Sequence, residues 1–435
     1  MKNEKHVLRC LSVIVATLVT MRVSAATDGE AAFAAAAKYT VKIEATVRLA
    51  VGAKDEQGVF SGAGFVVDAN RGWILTNAHV TTRSPATIRA RSRNGAWIPV
   101  RRVYIDPYLD LAIIAAERDK LAGMTAASLA CEGFPAVGHP VGAYGHPWGL
   151  DFTGTRGVVA GVSDKFEMGA LLTDAPINNG NSGGPLISLV TGKVVGINTS
   201  AIEAKGAQNL NFAVTARYAC KILDLMRAGR DPSPPEGTLV FFADAEDTGV
   251  LKVARNFTPP GHLALQPGDV IKTVVGEPGL ITRESEFIHA LRGHLDQVSV
   301  RIERGGKDVV LSGSLPAVDK ILSRRIVYAS GAVFGQARRF DASEVNLSRV
   351  ATCQIEAGSL AQSAGIEQCD AIETIDGEPV RDLDQVYRLL DRSRAASRPA
   401  SIVAKRVAGL QGKPFFTYHE IDLPVEELHW IPIEE

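Results

Sequence analysis

The chain has 435 residues, enough for two to four domains, with 46% apolar and 22% charged residues. That balance excludes a chain disordered throughout. Its 47 basic and 48 acidic residues leave a net charge of −1, without the basic excess of a nucleic-acid binder, so no nucleic-acid partner is expected.

Residues 1–25 read as a secretory signal peptide. Lys2, Lys5 and Arg9 precede an uncharged run from Cys10 to Met21, and Val23-Ser24-Ala25 supplies small residues for cleavage. The run is short for a bilayer span, although Arg22 before the cleavage site leaves an uncleaved anchor as the alternative. Export to the periplasm is the expectation. The mature chain then keeps Cys131, Cys220, Cys353 and Cys369, an even set that permits disulfides. Cys353 and Cys369 fall in one module and form the candidate bridge, with buried free thiols as the alternative.

In chain order, residues 26–40 form an N-terminal segment whose Ala-rich stretch 28–38 predicts a short helix. From Val41 the pattern changes to alternation, with Val41, Ile43, Ala45, Val47 and Leu49 on one strand face. Short β-type runs such as Gly64-Phe65-Val66-Val67, Trp73-Ile74-Leu75-Thr76 and Val194-Val195-Gly196-Ile197 follow between turn residues. Many short strands with Gly-rich turns indicate a barrel or sandwich, here over 41–230 and closed by a helix at 215–228. Asp231-Pro232-Ser233-Pro234-Pro235 breaks the chain and marks a linker at 231–236. Leu265-Gln266-Pro267-Gly268-Asp269-Val270-Ile271 and Ala364-Gly365-Ile366-Glu367-Gln368-Cys369-Asp370-Ala371-Ile372 then share one pattern. Asp269 and Asp370 are 101 residues apart, which predicts two copies of one module, at 237–320 and 325–425.

The chemistry concentrates in Gly180-Asn181-Ser182-Gly183-Gly184-Pro185. A serine hydroxyl is a weak nucleophile until a base takes its proton. A Gly-rich turn exposes that hydroxyl and lets backbone N–H groups converge on a developing oxyanion, worth about 3–4 kcal/mol per donor. Such a turn alone would be ordinary, but partners are present. Thr76-Asn77-Ala78-His79-Val80 puts a histidine just after a β run, and Asp110-Leu111-Ala112 puts an aspartate just before another. The order His79, Asp110, Ser182 is that of chymotrypsin-like proteases.

With Ser61-Gly62-Ala63-Gly64-Phe65, Thr173-Asp174-Ala175-Pro176-Ile177-Asn178, Gly196-Ile197-Asn198-Thr199 and Asn211-Phe212-Ala213-Val214, these stretches resemble the HtrA (Deg) family of exported serine proteases. The resemblance implies a mainly β chain, a chymotrypsin-like double β-barrel followed by two PDZ domains. It implies Ser182 as nucleophile, His79 as general base and then acid, and Asp110 as the group that orients the imidazole. The Gly180 and Ser182 N–H groups would form the oxyanion hole, and Gly196, Ile197 and Asn198 would line the P1 pocket or pair with substrate. It further implies ATP-independent cleavage of unfolded polypeptides, PDZ binding of peptide C-termini and a homotrimer or a multiple of one.

The position six residues before the nucleophile, an aspartate in trypsin-type enzymes, is Pro176, which disfavours cleavage after Lys or Arg. Small or medium aliphatic P1 residues are the family expectation. Candidate PDZ groove residues are Leu239 and Val240 in the first module and Gly331, Ala332, Val333 and Phe334 in the second. Cys369 stands where a glycine usually precedes Asp370, so that turn is expected to be altered or pinned by Cys353. No His-Glu-x-x-His or Cys-x-x-Cys run occurs, and neither metal nor cofactor is expected. A chaperone or PDZ adaptor with weak or no proteolysis is the rival reading, and an esterase a third.

Overall fold

The computed structural model describes residues 28–51, 56–163, 169–199, 210–236, 240–243, 249–318, 320–336, 350–410 and 413–434. The signal-peptide reading of 1–25 and the groove candidate Leu239 lie outside these residues. Helix α1 (Asp28–Ala36) opens the described chain, within the Ala-rich stretch.

A first closed barrel follows, built from β1 (Thr40–Val47), β2 (Gly58–Asp68), β3 (Trp73–Thr76), β4 (Ala86–Arg91), β5 (Ile98–Ile105) and β6 (Ala112–Ala115) in the order β1-β2-β3-β6-β5-β4. The alternation that predicts β1 is the pattern the barrel uses, because Val41, Ile43, Ala45 and Val47 are its buried residues on one face. One turn of helix, α2 (Ala78–Thr81), leaves the end of β3.

The second closed barrel contains β7 (Pro140–Gly145), β8 (Thr153–Ser163), β9 (Ala170–Thr173), β10 (Pro185–Ser188), β11 (Val194–Asn198) and β12 (Asn211–Thr215), in the order β10-β11-β12-β9-β8-β7. Val141, Val159, Leu171 and Leu186 fill it. Helix α3 (Ala216–Arg227) closes the pair, burying Tyr218, Ile222 and Leu223. This is the chymotrypsin fold, with the active-site strands at the barrel junction.

Two further β modules follow, consistent with PDZ domains. The first holds β13 (Val240–Phe242) paired with β14 (Val253–Asn256), helix α4 (Glu284–Leu291), and a sheet of β15 (Val270–Val274), β16 (Val298–Arg304) and β17 (Lys307–Gly313). The second holds β18 (Arg325–Ala329), β19 (Ala332–Gln336), β20 (Val350–Ile355), α5 (Leu360–Ser363), β21 (Ala371–Ile375), β22 (Glu378–Pro379), α6 (Leu383–Ala395), β23 (Ala400–Leu410), β24 (Lys413–Leu423) and β25 (Leu428–Pro432). Its strands run β24-β23-β21-β20-β19-β18-β25. β25 lies beyond the expected module end at 425, because it completes the sheet by pairing with β18.

The repeat is visible atom by atom. Asp269 takes two hydrogen bonds from Arg304, both at 2.7 Å, and one from the Gln266 N–H at 2.7 Å. Asp370 takes two from Arg406, at 2.7 and 2.8 Å, and one from the Glu367 N–H at 2.9 Å. Each arginine also reaches a loop carbonyl at 3.1 Å, Ala264 or Gly365. The turn before Asp370 is not altered. Cys369 adopts φ +70 where Gly268 has φ +97, and each N–H donates at 2.8 Å to the matching strand, at Thr352 or Val253.

The expected bridge is corrected. Cys131 is bonded to Cys220, tying a loop between the barrels to α3, while Cys353 and Cys369 keep free thiols. Sharing a module did not pair them. Cys369 sits exposed on its turn, whereas the Cys353 thiol is largely buried and pushed up to about 12 by that burial.

Candidate active site

His79 sits on α2, directly after β3, and its ring is half-exposed. Its Nδ1 lies 2.6 Å from Asp110 Oδ2, and its backbone N–H donates to Oδ1 at 3.0 Å. The Thr199 hydroxyl donates to the same Oδ2 at 3.0 Å. Asn77 locks the two segments together by donating from Nδ2 to the Asp110 carbonyl at 2.7 Å. Burial alone would raise the Asp110 carboxyl. The His79 charge and the hydrogen bonds from His79 and Thr199 outweigh it and hold the group below the ordinary carboxylate range. A carboxylate at Nδ1 selects the tautomer protonated there and leaves Nε2 as the basic nitrogen.

Ser182 is buried on the turn before β10. Its carbonyl accepts the Ala63 N–H of β2 at 2.8 Å, and the Ala63 carbonyl accepts the Thr76 hydroxyl of β3 at 2.7 Å. Gly62 sits between the two halves of the site. A Cβ there would fall 2.7 Å from a Val80 methyl and 3.0 Å from the Ser182 carbonyl. The helix carrying His79 and the main chain of Ser182 therefore flank the same residue of β2. This explains why Ser61-Gly62-Ala63-Gly64-Phe65 travels with the site.

Two glycines of the nucleophile turn are required by their backbone. Gly180 has φ +103 with the His146 carbonyl 2.1 Å from any Cβ, and Gly183 has φ +84 with the Ala63 carbonyl equally close. The Asn181, Gly183 and Gly184 N–H groups are spent on carbonyls of Asn178, Asn198 and Asn181. Those of Gly180 and Ser182, the two expected oxyanion donors, have no acceptor among the described residues.

Gly196, Ile197 and Asn198, expected to line the P1 pocket or pair with substrate, have their backbone committed within the barrel, which bears on the second of these roles. All three lie in β11, paired to β10 on one side and β12 on the other. The Asn198 carbonyl accepts the Gly183 N–H and its own N–H donates to Gly184, both at 2.8 Å. They brace the nucleophile turn, and their ladder positions leave no edge for pairing with substrate. Thr199, the next residue, is the site member that sequence reasoning missed. A hydroxyl at the exit of a buried strand, the last residue of the matched stretch Gly196-Ile197-Asn198-Thr199, was the available signal.

His146 is buried under Phe152, whose N–H donates to its Nδ1 at 3.1 Å, and its own N–H donates to the Gly180 carbonyl at 3.1 Å. Burial lowers its pKa to about 4. It supports the nucleophile turn in the neutral form. Asp174 is spent on the second barrel, accepting the Val158 N–H at 2.6 Å.

A second histidine–serine contact joins His139 Nε2 to Ser188 Oγ at 2.8 Å. Ser188 Oγ also accepts the Val190 and Thr191 N–H groups, so it caps the β10–β11 turn. No carboxylate among the described residues orients His139. The pair lacks what His79 has and reads as structural.

In the second module the expected groove is already filled. Ala332, Val333 and Phe334 of β19 pair with β18 on one edge and β20 on the other, and Gly331 is in the β18–β19 turn. A peptide has no open edge to join there. In the first module β13, which begins at Val240, pairs with β14 alone among the described residues.

Residues 62–197 match the family model for a trypsin-like peptidase domain. The chain is 26% identical over 364 residues to the periplasmic serine endoprotease DegP of Salmonella typhimurium, covering 78% of this chain and 74% of that protein. It is 32% identical over 249 residues to the putative serine protease HhoB of Synechocystis, covering 51% and 57%. Among solved structures, the HtrA-type protease AlgW with tripeptide shares the fold at a TM-score of 0.51 and 23% identity, over 66% of this chain and 97% of that one.

Proposed function

We propose that this chain, which belongs to the HtrA/DegP family of trypsin-like serine proteases, is exported to the periplasm and degrades unfolded polypeptides without ATP. The observation that carries the reading is the His79–Asp110 contact at 2.6 Å, with the Ser182 carbonyl held at 2.8 Å by Ala63 of β2.

In the proposed cycle, His79 Nε2 takes the Ser182 proton as Oγ attacks the scissile carbonyl. Asp110, itself held by Thr199, keeps the imidazole in its tautomer and stabilises the imidazolium. The Gly180 and Ser182 N–H groups receive the oxyanion. His79 then returns the proton to the leaving amine, and water repeats the steps to release the acyl group. The absence of a carboxylate at Pro176, with Asp174 committed to β8, supports aliphatic rather than basic P1 residues. That β13 pairs with β14 alone among the described residues supports capture of peptide C-termini by the first module. A homotrimer is the assembly proposed, to be read from the solution mass.

The test is digestion of an unfolded model protein by the mature chain and by Ser182→Ala, with cleaved bonds mapped by mass spectrometry. The variant should lose at least about 10⁴-fold in rate, and cuts should follow aliphatic residues. Digestion that persists in Ser182→Ala would overturn the triad. Cuts dominated by arginine would overturn the pocket reading. An inert wild type, even with C-terminal peptides added, would favour the chaperone or adaptor reading.

A further inference from the structure

The loop that delivers Asp110 is held from outside the barrels. Asp106 is fully buried at its start and organises it. Its Oδ1 accepts the Tyr108 and Leu109 N–H groups at 3.0 and 2.8 Å, and its own N–H donates to the Leu111 carbonyl at 2.9 Å. These bonds bracket Asp110 on both sides. Asp106 Oδ2 lies 2.7 Å from Nη1 of Arg292, a side chain only 1% exposed. Arg292 is the residue that ends α4, so it belongs to the first PDZ-like module and not to the protease barrels. The same Nη1 donates to the Pro232 carbonyl at 2.7 Å and to the Tyr104 hydroxyl at 3.0 Å, and that hydroxyl donates to Asp106 at 2.8 Å. Tyr108 adds a second strap, donating to the Pro235 carbonyl at 2.9 Å.

The geometry points to Arg292 as a positioning residue for the protease: from the first module, through Asp106, it sets the loop that aims Asp110 at His79. The inference rests on Asp110 being the triad carboxylate. The physical reason is the burial of the pair. Without its cation, the buried Asp106 carboxylate would turn away from its present partners or pull in water. In either case its grip on the Tyr108 and Leu109 N–H groups weakens. The loop then loses register by fractions of an ångström, the scale at which orientation controls rate. The charged or titratable neighbours of the pair are Tyr104, Arg83, whose guanidinium reaches the Asp106 carbonyl at 3.5 Å, and His289 and Lys221, which feel the Arg292 charge.

The experiment compares wild type with Arg292→Met, Arg292→Lys and the double variant Arg292→Met/Asp106→Asn, which removes the unpaired charge. Steady-state cleavage of a fluorogenic peptide is measured across pH, together with labelling of Ser182 by a fluorophosphonate. Arg292→Met should lower kcat by about 10- to 100-fold with little change in KM. Its acid limb should move to lower pH, because an imidazolium less well served by Asp110 releases its proton more readily. Arg292→Lys should recover part of both effects, and the double variant should keep the low kcat. A purely structural role would lower the active fraction seen in labelling and leave the acid limb in place, which overturns the inference. An unchanged kcat in any folded variant lacking Arg292 also overturns it. If Arg292→Met does not fold, the double variant and Arg292→Lys decide by the same limb. If wild-type Ser182 is not labelled at all, the triad reading fails first, and that result is distinct from every variant outcome.

Discussion

The two C-terminal modules carry one sequence pattern and the same Asp–Arg anchor, yet one strand edge separates them. In the first, the segment before β13 holds Pro232, Pro234 and Pro235. Prolines cannot donate to a ladder. That segment instead bridges Ala317 through Pro235 and lies against the first barrel, its Pro232 and Pro235 carbonyls accepting from Arg292 of the first module and Tyr108 of the barrel. β13 is left with one partner among the described residues. In the second, the segment before β19 is Arg325-Ile326-Val327-Tyr328-Ala329, a β-type run that turns at Ser330-Gly331 and pairs back. β25 then joins its far side, stacking Trp430 on Tyr387 of α6 with ring centroids 5.2 Å apart. Modules that share one pattern thus diverge through the few residues that precede them.

The comparison is broken most directly by counting ligands. Displacing β18 forfeits about three ladder hydrogen bonds at about 1 kcal/mol each. A C-terminal peptide should therefore bind the second module about 100-fold more weakly than the first. Calorimetric titration should give one strong site per chain, and two equal sites would sink the contrast.

Acid separates two histidines held low by burial, His146 beside the second barrel and His289 in the first module, from the Asp–Arg anchors. His146 is held near 4 against an ordinary 6.5, so it binds fewer protons folded than unfolded. Its contribution is complete above 6.5 and fades as pH falls towards 4, a loss of about 3 kcal/mol. The Asp269 carboxyl, held low chiefly by Arg304 and the Gln266 N–H against the opposing effect of burial, loses its contribution only below its ordinary 3.8. Urea midpoints between pH 7.5 and 4.5 should fall for wild type. They should fall less steeply for His146→Asn, whose amide oxygen can still accept the Phe152 N–H, the remaining slope coming from His289, which burial also holds below the ordinary 6.5. Parallel curves would show that another group titrates.

The smallest effect lies in the matched turns. Cys369 holds a left-handed backbone that costs a residue with a Cβ about 1 kcal/mol. Cys369→Gly should stabilise the second module by about that amount and Gly268→Ala should destabilise the first by as much, both read by denaturant midpoint.

Much of this protein is legible in its residues because the signals are local. The alternation from Val41 to Val47 specifies β1, since a one-residue slip would expose its apolar face. The nucleophile turn needs glycine at 180 and 183 for backbone reasons that act within a few residues, so its motif survives as a readable run. The 101-residue spacing of Asp269 and Asp370 is two copies of one anchor. What tertiary structure alone decided depends on contacts far apart in the chain. Thr199 meets Asp110 across 89 residues, Cys131 meets Cys220 rather than the nearer pair meeting each other, and Arg292 meets Asp106 between modules. The edges of β19 are closed by β18 before it and β20 after it in the same module, so they are set by those neighbouring strands and not by Gly331 to Phe334 themselves. Local propensity and turn chemistry are written in neighbouring residues, whereas partner choice at a distance is settled only when the barrels and modules pack.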